Sequence, residues 1–156
     1  MKLSERMIAR GVFIDSDKEG KVNLMTQLVD LAADAFELDP TAREQVLEAV
    51  IAREEQRSTG IGCGLAVPHC KVDCVDQMYI VAMTSRRGVD FDSSDKDLVY
   101  LFFLIISPEN TAGPHLTALS SVARLVADAK VRRELIEATT PDHFLTILKK
   151  AEERYV

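Results

Sequence analysis

The sequence predicts an α/β fold in which helices cover both sides of one β-sheet. Apolar residues at helical spacing alternate along the chain with short apolar runs of strand length, the order of elements typical of α/β domains. The longest apolar stretch, residues 98–106, lies in a predicted strand at 98–107, as expected for a central strand covered on both faces. The 156 residues hold no internal repeat and no low-complexity linker, so we expect one domain over residues 1–156.

The first half of the chain is dominated by two predicted helices. A short helix capped by Ser4 and a short strand at residues 12–14 precede them. The first helix is indicated by the helical spacing of Leu24, Leu28, Leu31, Ala32 and Ala35. It ends at Asp39 and Pro40. The second helix is predicted to begin with a capping box from Thr41 to Glu44 and to bury Val46, Leu47, Val50 and Ile51.

The second half contains the main predicted strands and three further helices. Strands are predicted at 65–67, 78–84 and 98–107, with a small extended piece at 89–91. A helix follows residue 113, and its predicted inner face consists of Leu116, Leu119, Val122, Ala123 and Val126. A shorter helix is predicted at 130–138. Thr140 caps the last helix, which has Pro141 at its first position and packs through Phe144, Ile147 and Leu148.

The charge and the hydropathy of the chain exclude several classes of function. The net charge is -6, which argues against nucleic acid as a partner because a phosphate backbone requires clustered Lys and Arg. No apolar run reaches the roughly 20 residues needed to cross a bilayer. The first residues also lack the apolar core of a secretory signal, so we expect a cytoplasmic protein without direct membrane insertion.

The most informative segment is TGIGCGLAVPHCK, residues 59–71. Gly60, Gly62 and Gly64 relax the backbone where it enters a strand, so the loop can approach another surface or a phosphate closely. Pro68 fixes φ just before His69 and removes a hydrogen-bond donor. The segment therefore predicts a histidine presented at a strand end on a constrained backbone.

Two further side chains are candidates for a phosphate site with His69. His115 follows Gly113 and Pro114 at the start of a predicted helix, where free N–H groups and the helix dipole favour a bound phosphate. Arg53 lies at the end of a helix, and a guanidinium binds phosphate oxygens through two parallel hydrogen bonds. A polar first-turn residue and a solvated arginine are the plain structural alternatives for these two positions.

Ser58, Thr59 and the three cysteines allow other interpretations. Ser58 and Thr59 are predicted to form loop hydrogen bonds, with direct contact to a phosphoryl group as the less favoured role. Cys63, Cys70 and Cys74 lie close to His69 in the sequence, a set of side chains that zinc binds. Their spacing matches no standard zinc pattern, so a Cys/His metal-binding module is the weaker hypothesis, and we expect reduced thiols.

The chain resembles the enzyme IIA domains of the mannitol/fructose class in the bacterial phosphoenolpyruvate-dependent phosphotransferase system (PTS). The matching segments are residues 53–55 (REE), 58–62 (STGIG), 65–69 (LAVPH), 89–95 (VDFDSSD) and 115–119 (HLTAL). Their order and spacing fit over nearly the whole chain. The combination of TGIG, AVPH and a downstream HL is specific, whereas either half alone is weak.

The resemblance implies a fold, a chemistry and partners. It implies a mixed sheet flanked by helices, a phosphohistidine at His69, and His115 and Arg53 as its active-site neighbours, with no cofactor. The implied phosphoryl donor is an HPr-type histidine phosphocarrier protein. Two branches remain open: a nitrogen-regulatory protein that binds target proteins according to its phosphorylation, and a sugar-specific subunit that passes the phosphoryl group to a IIB component. The length of 156 residues favours the regulatory branch.

Overall fold

The computed structural model describes residues 1–93 and 95–155, so Ser94 of the 89–95 segment and Val156 lie outside the described residues. Two 3-10 turns, Leu3–Arg6 and Ala9–Gly11, open the chain. The elements that follow are β1 (Val12–Phe13), α1 (Lys21–Phe36), α2 (Pro40–Gln56), β2 (Gly60–Gly62), β3 (Leu65–Ala66), β4 (His69–Val72), β5 (Tyr79–Val89), β6 (Val99–Pro108), α3 (Ala112–Val126), α4 (Ala129–Glu137) and α5 (Pro141–Tyr155).

The strands form one open, mixed sheet. Its order is β1-β5-β6-β3-β2, and β4 also pairs with β6 beyond β3. β6 runs antiparallel to β5 and parallel to both β3 and β4, while β1 is parallel to β5. The mixed sheet implied by the family resemblance is therefore confirmed.

β6 separates two buried apolar clusters. Its alternate residues belong to different clusters, one with Leu101, Phe103 and Ile105 and the other with Phe102, Leu104 and Ile106. The first cluster is covered by α3, α4 and α5, and the second by α1 and α2. Because successive side chains of a strand point to opposite faces, one apolar strand supplies both cores. The prediction of helices on both sides of one sheet is confirmed.

The cap of α2 differs from the predicted capping box. The Asp39 carboxylate accepts a hydrogen bond from the Ala42 N–H (2.8 Å), and Pro40 is the first helical residue. Asp39 is therefore the N-cap of α2 and not the end of α1. Pro40 suits the first helical position because an N–H there would have no partner within the helix. The cap predicted for α5 is confirmed, since the Thr140 hydroxyl accepts from the His143 N–H (3.0 Å).

The buried face of α3 is rotated from the predicted one. Leu116 is 63% exposed, and Ala123 is also exposed. The buried side chains are His115, Ala118, Ser121, Val122, Leu125 and Val126. Two polar residues therefore lie on the inner face, which apolar spacing cannot predict. In the part of the chain that the structure describes, no helix is long and apolar enough to span a bilayer.

The strands around His69 are more extensive than predicted. β5 continues to Val89, past the predicted end at residue 84, and the glycine segment forms β2, which is antiparallel to β3. β4 begins at His69 itself and pairs with β6 in parallel, with His69 opposite Ile105. His69 thus lies where β4 begins to pair with the central strand β6.

Candidate functional site

His69 is held by a backbone hydrogen bond of the residue before it and by a hydrogen bond of its own ring. The Ile105 N–H donates to the carbonyl oxygen of Pro68 (3.1 Å). Nδ1 of His69 lies 2.8 Å from the carbonyl oxygen of Val67. A carbonyl only accepts, so Nδ1 carries the hydrogen and Nε2 keeps its lone pair. The half-buried ring therefore offers Nε2 as a nucleophile.

His115 meets His69 in space, as the sequence predicts. Its side chain is buried, and Nδ1 lies 2.7 Å from the hydroxyl oxygen of Ser107. The centroids of the two imidazole rings are 5.2 Å apart and their planes are inclined by 56°. The backbone N–H of His115 already donates to the Thr111 carbonyl (3.0 Å). The ring, and not the backbone N–H, is therefore the group of His115 that can bind a ligand in the cleft.

Arg53 joins the two histidines at a pair of adjoining clefts. One cleft, of about 550 Å³, is lined by Arg53, Ser58, His69 and Leu119 among others. The other, of about 430 Å³, is lined by Arg53, His69, His115 and Lys71 among others. The Arg53 guanidinium donates to the carbonyl of Arg57 (2.9 Å), which holds it across the end of α2. The predicted trio therefore shares one surface.

Ser58 and Thr59 build the loop beside the cleft. The Ser58 hydroxyl donates to the Phe91 carbonyl (3.3 Å) and accepts from the Gly60 N–H (3.1 Å). Thr59 is buried, and its hydroxyl donates to the Glu54 carboxylate. Both residues thus make the predicted loop hydrogen bonds, and only Ser58 faces the cleft through a side chain that is not fully buried.

Glu54 supports the loop beside the cleft and was not among the predicted site residues. Its carboxylate is buried and accepts from the Thr59 N–H (3.0 and 3.1 Å) and hydroxyl, and it pairs with Lys21 Nζ (2.7 Å). A buried carboxylate is tolerated when such partners surround it. The detectable signal was its spacing, because Glu54 continues the buried row of Val46 and Val50 at four-residue intervals.

The glycines of the loop serve contacts within the chain. A Cβ on Gly60 would lie 2.5 Å from the Cβ of Ser93. Gly62 has φ +97°, a left-handed conformation that suits glycine, and Asp95 lies beside it. The Asp95 carboxylate also accepts from the Cys63 N–H (3.2 Å). The close approach predicted for this loop is therefore made to the 89–95 segment.

The surroundings of both histidines lower their pKa and so favour the neutral rings. Burial lowers the pKa of His69, with the positive charges of Arg53 and Lys71 adding to it, while the hydrogen bond to Val67 and the Glu54 charge oppose it. Burial, with the His69 and Lys71 charges, lowers the pKa of His115 to about 4. A neutral ring is the form that has a lone pair for attack.

The cysteines do not converge beside His69. Cys63 is exposed, whereas Cys70 is buried in the cluster under α1 and α2, and burial raises its pKa to about 12. Cys74 is half-buried and its thiol lies 3.9 Å from the Ala42 carbonyl oxygen. Within residues 1–93 and 95–155, no group of three or more His, Cys, Asp or Glu side chains is placed to hold a metal ion.

Apolar side chains border the two histidines. Ile61 is 52% exposed and Leu116 is 63% exposed, and Leu119 lines both clefts. Exposed apolar side chains next to a reactive group indicate a surface that a partner can cover. The arrangement thus combines one nucleophilic imidazole, positive charge for an anion, and an apolar border.

A family model described as the phosphoenolpyruvate-dependent sugar phosphotransferase system, EIIA 2, matches residues 8–151. The PTS fructose-specific EIIABC component of Bacillus subtilis is 31% identical over 98% of the chain, which spans 24% of that protein. The PTS fructose-specific EIIA component of Haloferax volcanii is 34% identical, with 87% of this chain and 85% of that protein covered. A nitrogen regulatory protein of Bradyrhizobium diazoefficiens is 36% identical, with 74% of this chain and 76% of that protein covered.

Solved structures show the same fold. The nitrogen regulatory protein IIA-Ntr from Neisseria meningitidis superimposes with a TM-score of 0.85 at 29% identity, covering 94% of this chain and 98% of that one. The IIA component in the complex of Escherichia coli mannitol IIA with phosphorylated mannitol IIB has a TM-score of 0.78 at 22% identity, covering 92% and 97%. The second likeness is one of fold alone.

Proposed function

Because this chain belongs to the EIIA 2 family of the phosphoenolpyruvate-dependent phosphotransferase system, we propose that it is a phosphocarrier whose acceptor is Nε2 of His69. The donor is an HPr-type histidine phosphocarrier protein. One observation carries the proposal: Arg53 and His69 line both of the adjoining clefts, and His115, which is distant in sequence, lines one of them.

The transfer needs no proton movement at His69. The Nε2 lone pair attacks phosphorus, the Nε2–P bond forms, and the N–P bond of the donor breaks, returning its electron pair to the donor imidazole. Nδ1 keeps its hydrogen, and its hydrogen bond to the Val67 carbonyl stabilises the positive charge that the ring acquires. His69 then holds the group until an acceptor docks.

Arg53 acts on the charge of the phosphoryl group, with the neutral ring of His115 beside it. A guanidinium supplies two parallel donors and a permanent positive charge to phosphoryl oxygens. Lys71 adds a second positive charge at the edge of the site. Catalysis here consists of positioning and charge neutralisation, which is what phosphoryl transfer requires of a protein.

The apolar border formed by Ile61, Leu116 and Leu119 serves docking. A partner that covers it excludes water from the phosphorylated ring, so transfer is favoured over hydrolysis. The same border is used in turn by the donor and by the next partner.

We propose that the phosphoryl group is used for regulation, through target proteins that read the state of His69. Support comes from the nitrogen regulatory relative and from the likeness to IIA-Ntr. A phosphoryl group adds roughly two negative charges to a small surface, enough to change a protein interface by a few kcal/mol.

The alternative destination is a IIB component of fructose or mannitol type, which would serve sugar uptake. The two fructose-specific relatives, at 31% and 34% identity, favour it.

Phosphorylation is tested with phosphoenolpyruvate, enzyme I and an HPr-type protein, followed by native mass spectrometry at neutral pH. We expect a gain of one phosphoryl group in the wild type and in His143→Ala, and none in His69→Ala. His143 is the matched control because it is exposed on α5. No gain with any phosphocarrier protein would refute the proposal.

The destination is tested by adding a purified IIB component of fructose type to the phosphorylated chain. A regulatory role predicts that the phosphoryl group stays on His69 and that a pull-down captures different partners in the two phosphorylation states. Rapid transfer of the phosphoryl group to IIB, together with identical partner sets, would instead establish the sugar-uptake role.

A further inference from the structure

Ser107 is a polar residue at the end of an apolar row. On β6, Leu101, Phe103 and Ile105 face α3, α4 and α5, and Ser107 follows at the next position of the same row. Its side chain is fully buried. Its hydroxyl oxygen lies 2.7 Å from Nδ1 of His115, which is itself buried.

The Ser107 hydroxyl has one acceptor to which it can donate its hydrogen. Among the described residues, Nδ1 of His115 is the one side-chain or backbone group within hydrogen-bonding distance of this hydroxyl. Leaving a buried hydroxyl hydrogen without an acceptor costs about 1–3 kcal/mol. The arrangement in which Ser107 donates to Nδ1 is therefore favoured over the one in which Nδ1–H donates to Ser107.

The direction of this hydrogen bond decides what His115 can do. A neutral imidazole has one N–H, so a ring that accepts at Nδ1 carries its hydrogen at Nε2. An Nε2–H can donate to an oxygen of a phosphoryl group on the neighbouring ring. An Nε2 lone pair would repel that oxygen.

We propose that Ser107 is a positioning residue that fixes His115 as its Nε2–H tautomer, so that His115 donates to the phosphoryl group on His69. The two neutral rings then hold opposite tautomers. Val67 keeps the hydrogen of His69 on Nδ1 and frees Nε2 for attack, whereas Ser107 keeps the hydrogen of His115 on Nε2. The role of this donor rests on the proposed function of His69.

The tautomers are read directly by NMR of the imidazole nitrogens in ¹⁵N-histidine-labelled protein near neutral pH. We expect Nδ1–H at His69 and Nε2–H at His115 in the wild type. Ser107→Ala should move His115 toward the Nδ1–H form, while Ser107→Thr, which keeps a hydroxyl, should retain Nε2–H. An Nδ1–H signal for His115 in the wild type overturns the proposal even if neither variant folds.

The consequence for transfer is measured as the rate of phosphorylation by the phosphocarrier protein. Ser107→Ala should slow it roughly tenfold, the loss expected for one hydrogen bond in the transition state. Ser85→Ala is the control for removing a buried serine, because Ser85 lies on β5 and its hydroxyl accepts from the Gly88 N–H (3.2 Å). An unchanged rate in folded Ser107→Ala overturns the positioning role.

The experiments distinguish failure of the Ser107 proposal from failure of the proposed function of His69. A wild type that no phosphocarrier protein phosphorylates refutes the function of His69. The tautomer spectra still decide the assignment of Ser107, because they are recorded on the unphosphorylated chain.

Discussion

The Glu54 carboxylate accepts hydrogen bonds from both the backbone N–H and the hydroxyl of Thr59, and so joins the end of α2 to the loop that leads to His69. Lys21, the first residue of α1, completes the arrangement with its ammonium group 2.7 Å from the same carboxylate and 5.2 Å from the centre of the Phe91 ring. One buried carboxylate thereby holds together the start of α1, the end of α2 and the loop that leads to His69.

Glu54→Gln should lower the free energy of unfolding by roughly 2 kcal/mol, because the half-buried ammonium of Lys21 loses its countercharge. Urea denaturation measures the change. Glu55→Gln is the control, since Glu55 is the exposed neighbour on the same helix turn. Equal stability of the two variants would show that the ion pair contributes nothing net.

Arg53→Lys should slow phosphorylation of His69 about tenfold, because a lysine keeps the charge but loses the two parallel donors. Arg53→Ala should slow it further. The rate is followed by mass spectrometry of quenched samples, with Arg124→Ala, on the exposed side of α3, as control. A normal rate in Arg53→Ala would remove Arg53 from the site.

The stability of the protein should fall as the pH drops from about 6.5 toward 4, and His115 should account for part of the fall. Its pKa is lowered from 6.5 to about 4 by burial, so the unfolded chain binds a proton in this window that the folded chain does not. Folding is then penalised increasingly as the pH falls.

His115→Asn removes that proton. Its free energy of unfolding, measured in urea at about pH 7 and pH 5, should therefore change less between the two values than that of the wild type. A pH dependence identical to that of the wild type would contradict the assignment. His69→Asn provides the comparison for the second depressed histidine.

Gly60→Ala should destabilise the protein by about 2 kcal/mol, since its Cβ would lie 2.5 Å from the Cβ and 2.9 Å from the Cα of Ser93. Gly113→Ala is the matched control, because nothing lies within 4 Å of a Cβ at that helical position. Thermal unfolding measures both. A stable Gly60→Ala protein would mean that the two loops separate easily.

The parts of the site that lie in one short segment could be predicted from the sequence. Pro68 and His69 are adjacent, and the local backbone chemistry of proline and glycine indicates their role. Arg53 and His115 were identified as candidates, but their meeting with His69 depends on the pairing of β4 with β6, which no local pattern encodes.

Residues whose role comes from distant partners could not be predicted. Glu54 reads as one more charge on a polar helix, and only Lys21 and Thr59 make it a buried anchor. Leu116 fits an apolar face by spacing, yet it is exposed because His115 and Ser121 occupy the inner side of α3. Ser107 ends an apolar strand and gave no sign of its contact with His115.

Both histidines are fastened to the same strand two residues apart. The Ile105 N–H binds the residue before His69, and the Ser107 side chain binds His115. Two residues of a strand span about 7 Å, and this length is set by covalent geometry and not by the surrounding loops. Motion of those loops therefore leaves the separation of the imidazoles nearly constant. A docking partner meets a preformed pair of rings, and little free energy of association is lost to reorganising them.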